Sequence, residues 1–165
     1  MGRWRPPPEK SSPYITGDGY RKLQLETQDL WTRRAEVTRA LTAAAAEGDR
    51  SENAEYIYRK KELRELDRRI RYLQKRLPEL RIVDQAPSEQ NQVFFGAEVV
   101  LEDKNGAEHR YRIVGPDEID TKKNWISVDA PLAKALLKKK LDEEITVEAK
   151  KGTAIYLVVG ITYPD

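Results

Sequence analysis

Residues 63–80, with the sequence LRELDRRIRYLQKRLPEL, decide the fold of the N-terminal half of this chain. Apolar side chains recur there at intervals of 3, 4, 3, 4 and 3 residues, which is the spacing of a coiled-coil seam. The seam consists of Leu63, Leu66, Ile70, Leu73, Leu77 and Leu80. Pro78 is expected to end or kink the helix, because its ring clashes with the carbonyl four residues earlier. The stretch therefore predicts a long amphipathic helix that needs a partner.

A second helical pattern lies immediately upstream. Its apolar side chains recur every seven residues, at Leu23, Leu30, Val37 and Ala44. Between the patterns, Gly48 can end the first helix, and either Asp49 or Ser51 can cap the second. A turn this short makes the two helices antiparallel neighbours. We therefore predict an antiparallel coiled-coil hairpin within residues 14–83, with its tip at residues 47–53.

The pattern changes after a polar linker at residues 84–92. An Asn105-Gly106 turn between two alternating stretches predicts a β-hairpin, and Pro131 is suited to the first position of a short helix. Further strands are predicted at 125–128, 145–147 and 153–161. Residues 93–165 thus form a small α+β domain, which makes the whole chain α+β. The proline-rich residues 1–13 are predicted to be a flexible tail.

Composition excludes several classes of function. The 165 residues include 30 Lys and Arg, 28 Asp and Glu, a single His and no Cys. Disulfide frameworks, thiolate zinc sites and thiol nucleophiles are therefore excluded, and a Ser-His-Asp triad is improbable. No apolar run is long enough to span a membrane, and the N-terminus does not resemble a signal peptide. We expect a soluble cytoplasmic protein that does not enter a membrane, and a monomer, because the hairpin buries its own seam.

Acidic residues crowd the predicted tip. Asp49 and Glu52 are three residues apart, with Glu47 and Glu55 on either side. Paired carboxylates suit a hard cation such as Mg²⁺. The alternative is structural, since Asp-x-x-Glu at a helix start is also a capping arrangement. Two carboxylates alone would hold Mg²⁺ weakly, so the metal interpretation requires a partner that supplies the other ligands.

Cations follow the acids along the second helix. They include Arg59, Lys60, Lys61, Arg64, Arg68, Arg69 and Arg71. Residues 1–83 carry 19 Lys and Arg against 13 Asp and Glu, whereas residues 84–165 carry 11 against 15. A basic stripe on a helix is typical of a phosphate-binding surface. A solvated face that pairs with neighbouring acids is the open alternative.

Several motifs together resemble one family. The tip sequence GDRSENAEY, at residues 48–56, resembles the tip motif of the bacterial Gre transcript-cleavage factors. The downstream basic run resembles the GreB branch of that family more than the GreA branch. Further matching stretches lie at 60–69, 93–97, 111–115 and 126–137. The resemblance extends over about residues 14–163, nearly the whole chain.

The resemblance implies a fold and a mechanism. The C-terminal domain would be FKBP-like and would dock on bacterial RNA polymerase near its secondary channel, which the hairpin would enter. Asp49 and Glu52 would help to hold a Mg²⁺ ion shared with the polymerase and would orient the attacking water. The 3′ end of the backtracked nascent RNA would then be cut. On this view the chain is not an enzyme by itself but stimulates cleavage by the polymerase.

The resemblance also implies roles for other residues. Tip support is expected from Gly48, Ser51 and Asn53. Contact with the extruded RNA is expected from Arg59, Lys60, Lys61 and Arg64. Docking on the polymerase is expected from Asp129, Ala130 and Pro131, where Ala130 stands in place of the family's usual Ser.

Two other functions stay open from the residues. One is a secondary-channel regulator of RNA polymerase that does not cleave RNA, although the intact tip acids argue against it. The other is a coiled-coil adaptor, with prolyl isomerase activity as its enzymatic variant.

Overall fold

The computed structural model describes residues 2–4, 10–48 and 53–164. The chain divides into two compact units. One is the helical unit, Asp18–Leu80, and the other combines the residues before Asp18 with those after Leu80. The predicted hairpin limits of 14 and 83 therefore lie a few residues outside the helical unit. Within the described part of the chain, no helix is both long and apolar enough to cross a membrane.

The helical unit consists of two helices. Helix α1 spans Gly17–Ala45 and helix α2 spans Ala54–Arg76. A short 3₁₀ turn, Leu77–Glu79, follows α2 and contains Pro78. Proline has no backbone N–H to donate to the preceding turn, so α2 ends where the sequence predicted.

Side-chain contacts show that α1 and α2 run antiparallel. Near the start of α1, Glu26 accepts hydrogen bonds from Arg69 near the end of α2, at 2.7 and 2.9 Å. Near the middle, Arg33 donates to Glu62 at 2.7 Å. At the end of α1, the Ala44 carbonyl accepts a hydrogen bond from the residue just before α2. This arrangement confirms the predicted hairpin.

The predicted seam is the protected face of the hairpin. Val37 and Leu73 are fully buried, and Leu23, Ala44 and Ile70 are at most 5% exposed. None of the six predicted seam positions between Leu63 and Leu80 is exposed. Burial of these side chains supplies the hydrophobic free energy that stabilises the pair. The ion pairs between the helices are partly exposed and add less, because solvent screens them.

The second unit is built on a five-stranded mixed sheet with the order β5-β4-β3-β7-β6. Its strands are β3 Glu98–Glu102, β4 Glu108–Val114, β5 Trp125–Ser127, β6 Glu144–Ala149 and β7 Gly152–Thr162. The β4–β5 pair is parallel and the other pairs are antiparallel. Helix α3, Pro131–Leu136, contributes Ala133 and Leu136 to the core of this unit. These strands and this helix confirm the predicted α+β class.

The turn between β3 and β4 is organised by one carboxylate. Asp103 Oδ1 accepts hydrogen bonds from the backbone N–H groups of Asn105 and Ala107, at 2.9 and 3.0 Å. Its Oδ2 lies 2.9 Å from His109 Nε2. The bond to His109 is the main reason why the pKa of Asp103 lies below its ordinary value. His109 therefore has a structural partner in this hairpin.

Two short strands were not predicted from the sequence. Strand β1, Tyr14–Thr16, pairs in parallel with β2, Arg81–Val83. Ile15 on β1 is fully buried. Only three residues of each strand take part, and a parallel pair joins residues far apart in sequence, so it leaves no local turn signal.

The buried carboxylate of Glu118 holds β1 in place. It accepts hydrogen bonds from the Thr16 N–H at 3.1 Å, from the Thr16 hydroxyl and from the Gly115 N–H at 2.7 Å. A Cβ atom at position 115 would lie 2.0 Å from the Tyr14 carbonyl oxygen. Only glycine permits so close an approach of the two backbones.

Candidate functional site: the hairpin end, the shaft cations and the docking loop

The hairpin end begins where α1 stops. The Glu47 N–H donates to the Ala44 carbonyl at 3.2 Å, in a tightened last turn. Gly48 has a φ of +147°, a region that side chains rarely adopt and that favours glycine. A Cβ atom at this position would meet nothing within 4 Å. The constraint on residue 48 is therefore its backbone conformation and not a lack of space.

Asn53 joins the two helices at this end. Its Oδ1 accepts a hydrogen bond from the Tyr56 N–H at 3.1 Å and caps α2. Its Nδ2 donates to the Ala44 carbonyl at 2.7 Å, as a second donor to a carbonyl that also accepts from the Glu47 N–H. One side chain thus links the end of α1 to the start of α2.

The cap of α2 differs from the prediction. The sequence offered Asp49 or Ser51 as the cap, and this was wrong, because α2 begins at Ala54 and the capping residue is Asn53. Asparagine caps helices about as well as aspartate and serine. Several good capping residues follow one another here, so local preference alone could not choose among them.

The tip acids Asp49 and Glu52, together with Ser51, lie outside the described residues. The position of the cap still bears on them. A capping box needs its acid three residues after the cap, and Glu52 precedes Asn53 in the sequence. Asp49 and Glu52 therefore do not form the capping box of α2, and their metal-binding role stays a prediction. Two carboxylates offer the oxygen ligands that Mg²⁺ prefers but fill only part of an octahedral shell.

Arg59 is engaged within its own helix. Its guanidinium donates to Glu55 at 2.9 Å and to Glu62 at 3.2 Å. These carboxylates raise the pKa of Arg59, and the hydrogen bond that Arg59 donates to Glu55 is the largest cause. The RNA contact expected of Arg59 stays a prediction, and its charge is already balanced by two acids. Their spacing at i−4 and i+3 is the sequence signal that shows this.

The other three shaft cations are exposed. Lys60 Nζ lies 5.8 Å from the centre of the Tyr56 ring. Lys61 and Arg64 form no ion pair with any residue in the described ranges. Tyr58 is 60% exposed beside them. Positive charge next to an open aromatic ring is the combination found in single-stranded nucleic-acid sites.

The predicted docking loop connects β5 to α3. The Asp129 N–H donates to Ser127 Oγ at 3.0 Å, and the Asp129 carboxylate accepts from the Ser12 N–H at 2.8 Å. Pro131 opens α3, as predicted, and Ala130 caps it without a side-chain hydrogen bond. The contact with Ser12 was missed, because nothing in the sequence links two residues so distant along the chain.

Comparison with known proteins identifies the family. The family model "Transcription elongation factor, N-terminal" matches residues 13–82, and "Transcription elongation factor, GreA/GreB, C-term" matches residues 87–163. The chain therefore belongs to the GreA/GreB family of transcription elongation factors.

Individual relatives narrow the assignment to the GreB branch. Transcription elongation factor GreB of Xanthomonas axonopodis pv. citri is 59% identical over 165 residues, covering 99% of this chain and 98% of that protein. The same factor of Pseudomonas aeruginosa is 53% identical with the same coverage. Both matches include most of the N-terminal segment before Ser12. The crystal structure of GreA factor homolog 1 of Thermus thermophilus is 25% identical, covers 90% of this chain and 97% of its own, and has a TM-score of 0.42.

Proposed function

We propose that this chain binds bacterial RNA polymerase and inserts its hairpin into the secondary channel. There it stimulates Mg²⁺-dependent cleavage of the backtracked nascent RNA. The observation that carries the proposal is the double hydrogen bond of Asn53, which caps α2 and joins it to the end of α1 beside the tip sequence. Membership of a family of elongation factors supplies the context in which those acids act.

The tip acids have the chemistry that a shared metal site needs. Asp49 and Glu52 would hold one face of a Mg²⁺ ion, and the polymerase would supply the remaining ligands. When bound, this ion stabilises the charge that develops as water attacks the RNA phosphodiester. The carboxylate oxygens of this chain would accept hydrogen bonds from that water and orient it. Half a metal site cannot cleave RNA alone, so the chain acts as a stimulator and not as an enzyme.

The shaft is suited to guide the RNA toward the tip. Lys60, Lys61 and Arg64 are exposed on the first turns of α2, and phosphates bind most strongly to cations without acidic partners. Tyr58 is 60% exposed, with the Arg59 guanidinium 5.6 Å from its ring centre, and a base could stack on its exposed surface. Arg59 would contribute mainly by keeping this part of the helix rigid, since it bridges two acids.

The C-terminal unit would carry the docking surface, with Asp129, Ala130 and Pro131 at its centre. The exposed carboxylate of Asp129 suits a cationic or N–H group on the polymerase. One copy of the chain would bind each polymerase, in the cytoplasm where transcription takes place.

A cleavage assay on a backtracked elongation complex tests this proposal. The nascent RNA is labelled near its 3′ end, and short products are measured at saturating protein with and without Mg²⁺. Asp49→Asn and Glu52→Gln remove one charge each while keeping nearly the same shape. Glu47→Gln is the matched control, because Glu47 is an exposed acid at the same end of the hairpin.

We expect the wild-type chain and the Glu47→Gln variant to release short RNA only with Mg²⁺. The two tip variants should bind the polymerase but cleave much more slowly. Polymerase binding without any cleavage by the wild-type chain would instead identify a non-cleaving channel regulator. Lack of polymerase binding would leave the coiled-coil adaptor.

A further inference from the structure

The N-terminal segment runs across the docking loop. The backbone N–H of Ser12 donates to Asp129 Oδ2 at 2.8 Å, between residues 117 positions apart. The carbonyl of the following residue, Pro13, accepts a hydrogen bond from the Arg81 N–H at 2.8 Å. Strand β1 then pairs with β2. The segment is thus fixed on one side by this parallel pair and contacts Asp129 on the other.

The contact constrains a side chain that would otherwise rotate. Asp129 is exposed, and its own backbone N–H is held by Ser127 Oγ at 3.0 Å. The amide of Ser12 fixes one carboxylate oxygen, in a charge-assisted hydrogen bond. Within the described part of the chain, no hydrogen bond reaches the second oxygen. The carboxylate is therefore oriented through Oδ2, and its second oxygen keeps its capacity to accept a hydrogen bond.

We infer that the Ser12 backbone amide positions Asp129 for RNA polymerase. The inference rests on the docking role given to Asp129 in the proposed function. A carboxylate held in one orientation loses less conformational entropy when it meets a cationic or N–H group. The segment before β1, predicted to be a flexible tail, thus contributes at Ser12 a backbone group to the docking surface.

The geometry indicates that Ser12 positions Asp129 for the polymerase and does not compete with the polymerase for it. A segment that blocked docking would need to occupy both carboxylate oxygens of Asp129, whereas the hydrogen bond that the described residues show from Ser12 reaches Oδ2. The donor is also a backbone group, so it carries no charge that would cancel that of the carboxylate.

The test uses two substitutions at one position, each alone and combined with Asp129→Ala. Ser12→Pro removes the donor N–H, because proline has none. Ser12→Ala keeps the N–H and removes only the hydroxyl, which accepts from the Tyr14 N–H at 3.3 Å. Affinity for RNA polymerase is measured by equilibrium titration, and thermal melting checks that each full-length variant is folded.

We expect Asp129→Ala to weaken binding by about tenfold and Ser12→Pro by about fivefold, with Ser12→Ala within about twofold of the wild type. In the Asp129→Ala background, Ser12→Pro should have no further effect, because its partner is gone. This non-additivity is the result that a merely structural role of residue 12 would not produce.

Three results would overturn the inference. Equal loss of affinity from Ser12→Pro in both backgrounds would show that the segment acts independently of Asp129. Tighter binding by Ser12→Pro would show that the segment competes with the polymerase. Normal binding by Ser12→Pro, with weak binding by Asp129→Ala, would refute the positioning role and leave the docking role intact. If Asp129→Ala itself binds normally, the docking role fails, while the cleavage assay still tests the tip.

Discussion

Replacement of Asn53 probes the closure of the hairpin end. Asn53→Ala removes the cap of α2, which costs about 1 kcal/mol. It also removes the hydrogen bond to the Ala44 carbonyl, which contributes about 1 kcal/mol more. Together these losses favour local opening by about 2 kcal/mol, or roughly a 30-fold rise in the population of the open end.

Hydrogen exchange measures this opening directly. In Asn53→Ala, the amides in the first turn of α2, that of Tyr56 included, should exchange roughly 30-fold faster, because local opening controls their protection. Asn53→Ser is the matched control: it keeps a capping oxygen and lacks the amide that reaches Ala44. It should accelerate exchange only roughly fivefold. RNA cleavage should fall in the same order, while affinity for the polymerase is retained.

Two outcomes would refute this reasoning. Unchanged exchange at Tyr56 in Asn53→Ala would show that the end is held by something other than these two bonds. Equal acceleration in Asn53→Ala and Asn53→Ser would show that the bond between the helices contributes nothing, and that capping alone orders the end.

Three further predictions concern the C-terminal unit. Gly115→Ala should destabilise this unit by about 3 kcal/mol in urea unfolding, because a Cβ atom 2.0 Å from the Tyr14 carbonyl oxygen forces the backbones apart; a midpoint equal to that of the wild type would contradict the close approach. Glu118→Ala should cost about 3 kcal/mol in the same assay, since it removes the acceptor of three hydrogen bonds; unchanged exchange of the β1 amides would contradict this role. Because the pKa of Asp103 is depressed, its stabilising effect is present above its ordinary pKa of 3.8 and is lost as the pH falls through its lower folded value. NMR titration should show this carboxyl ionising below 3.8, and His109→Ala should shift it upward; no upward shift would exclude His109 as the main cause.

Much of the fold follows from local patterns. The 3-and-4 spacing of the leucines in α2 and the Asn105-Gly106 turn between β3 and β4 each depend on residues close in sequence. Elements of this kind can be predicted without knowledge of the rest of the chain. Pro131 at the start of α3 is a further example, since its backbone geometry suits the first helical position.

The unpredicted parts depend on residues that are far apart in sequence. Strands β1 and β2 have three residues each, and they stabilise one another only when the folded chain brings them together. Nothing in the sequence distinguishes Glu118 from an ordinary surface acid, yet its carboxylate is buried under β1. The contact of Ser12 with Asp129 belongs to the same class.

The candidate site likewise combines features that the sequence shows with features that it does not. Gly48, the acidic pair and the basic shaft are visible in the sequence as composition and spacing. The choice of Asn53 as the cap is not, because several good capping residues follow one another there. The engagement of Arg59 could have been predicted from Glu55 and Glu62, which stand at helical spacing on either side of it.

A Mg²⁺ titration of stimulated RNA cleavage tests the central claim most directly. Cleavage rates are measured at saturating protein for the wild-type chain, Glu52→Gln and the control Glu47→Gln. If Glu52 helps to complete a metal site shared with the polymerase, Glu52→Gln should need more Mg²⁺ for half-maximal stimulation and should reach a lower maximal rate. The control should follow the wild-type curve. Identical curves for all three proteins would show that the tip carboxylate does not take part in binding the ion.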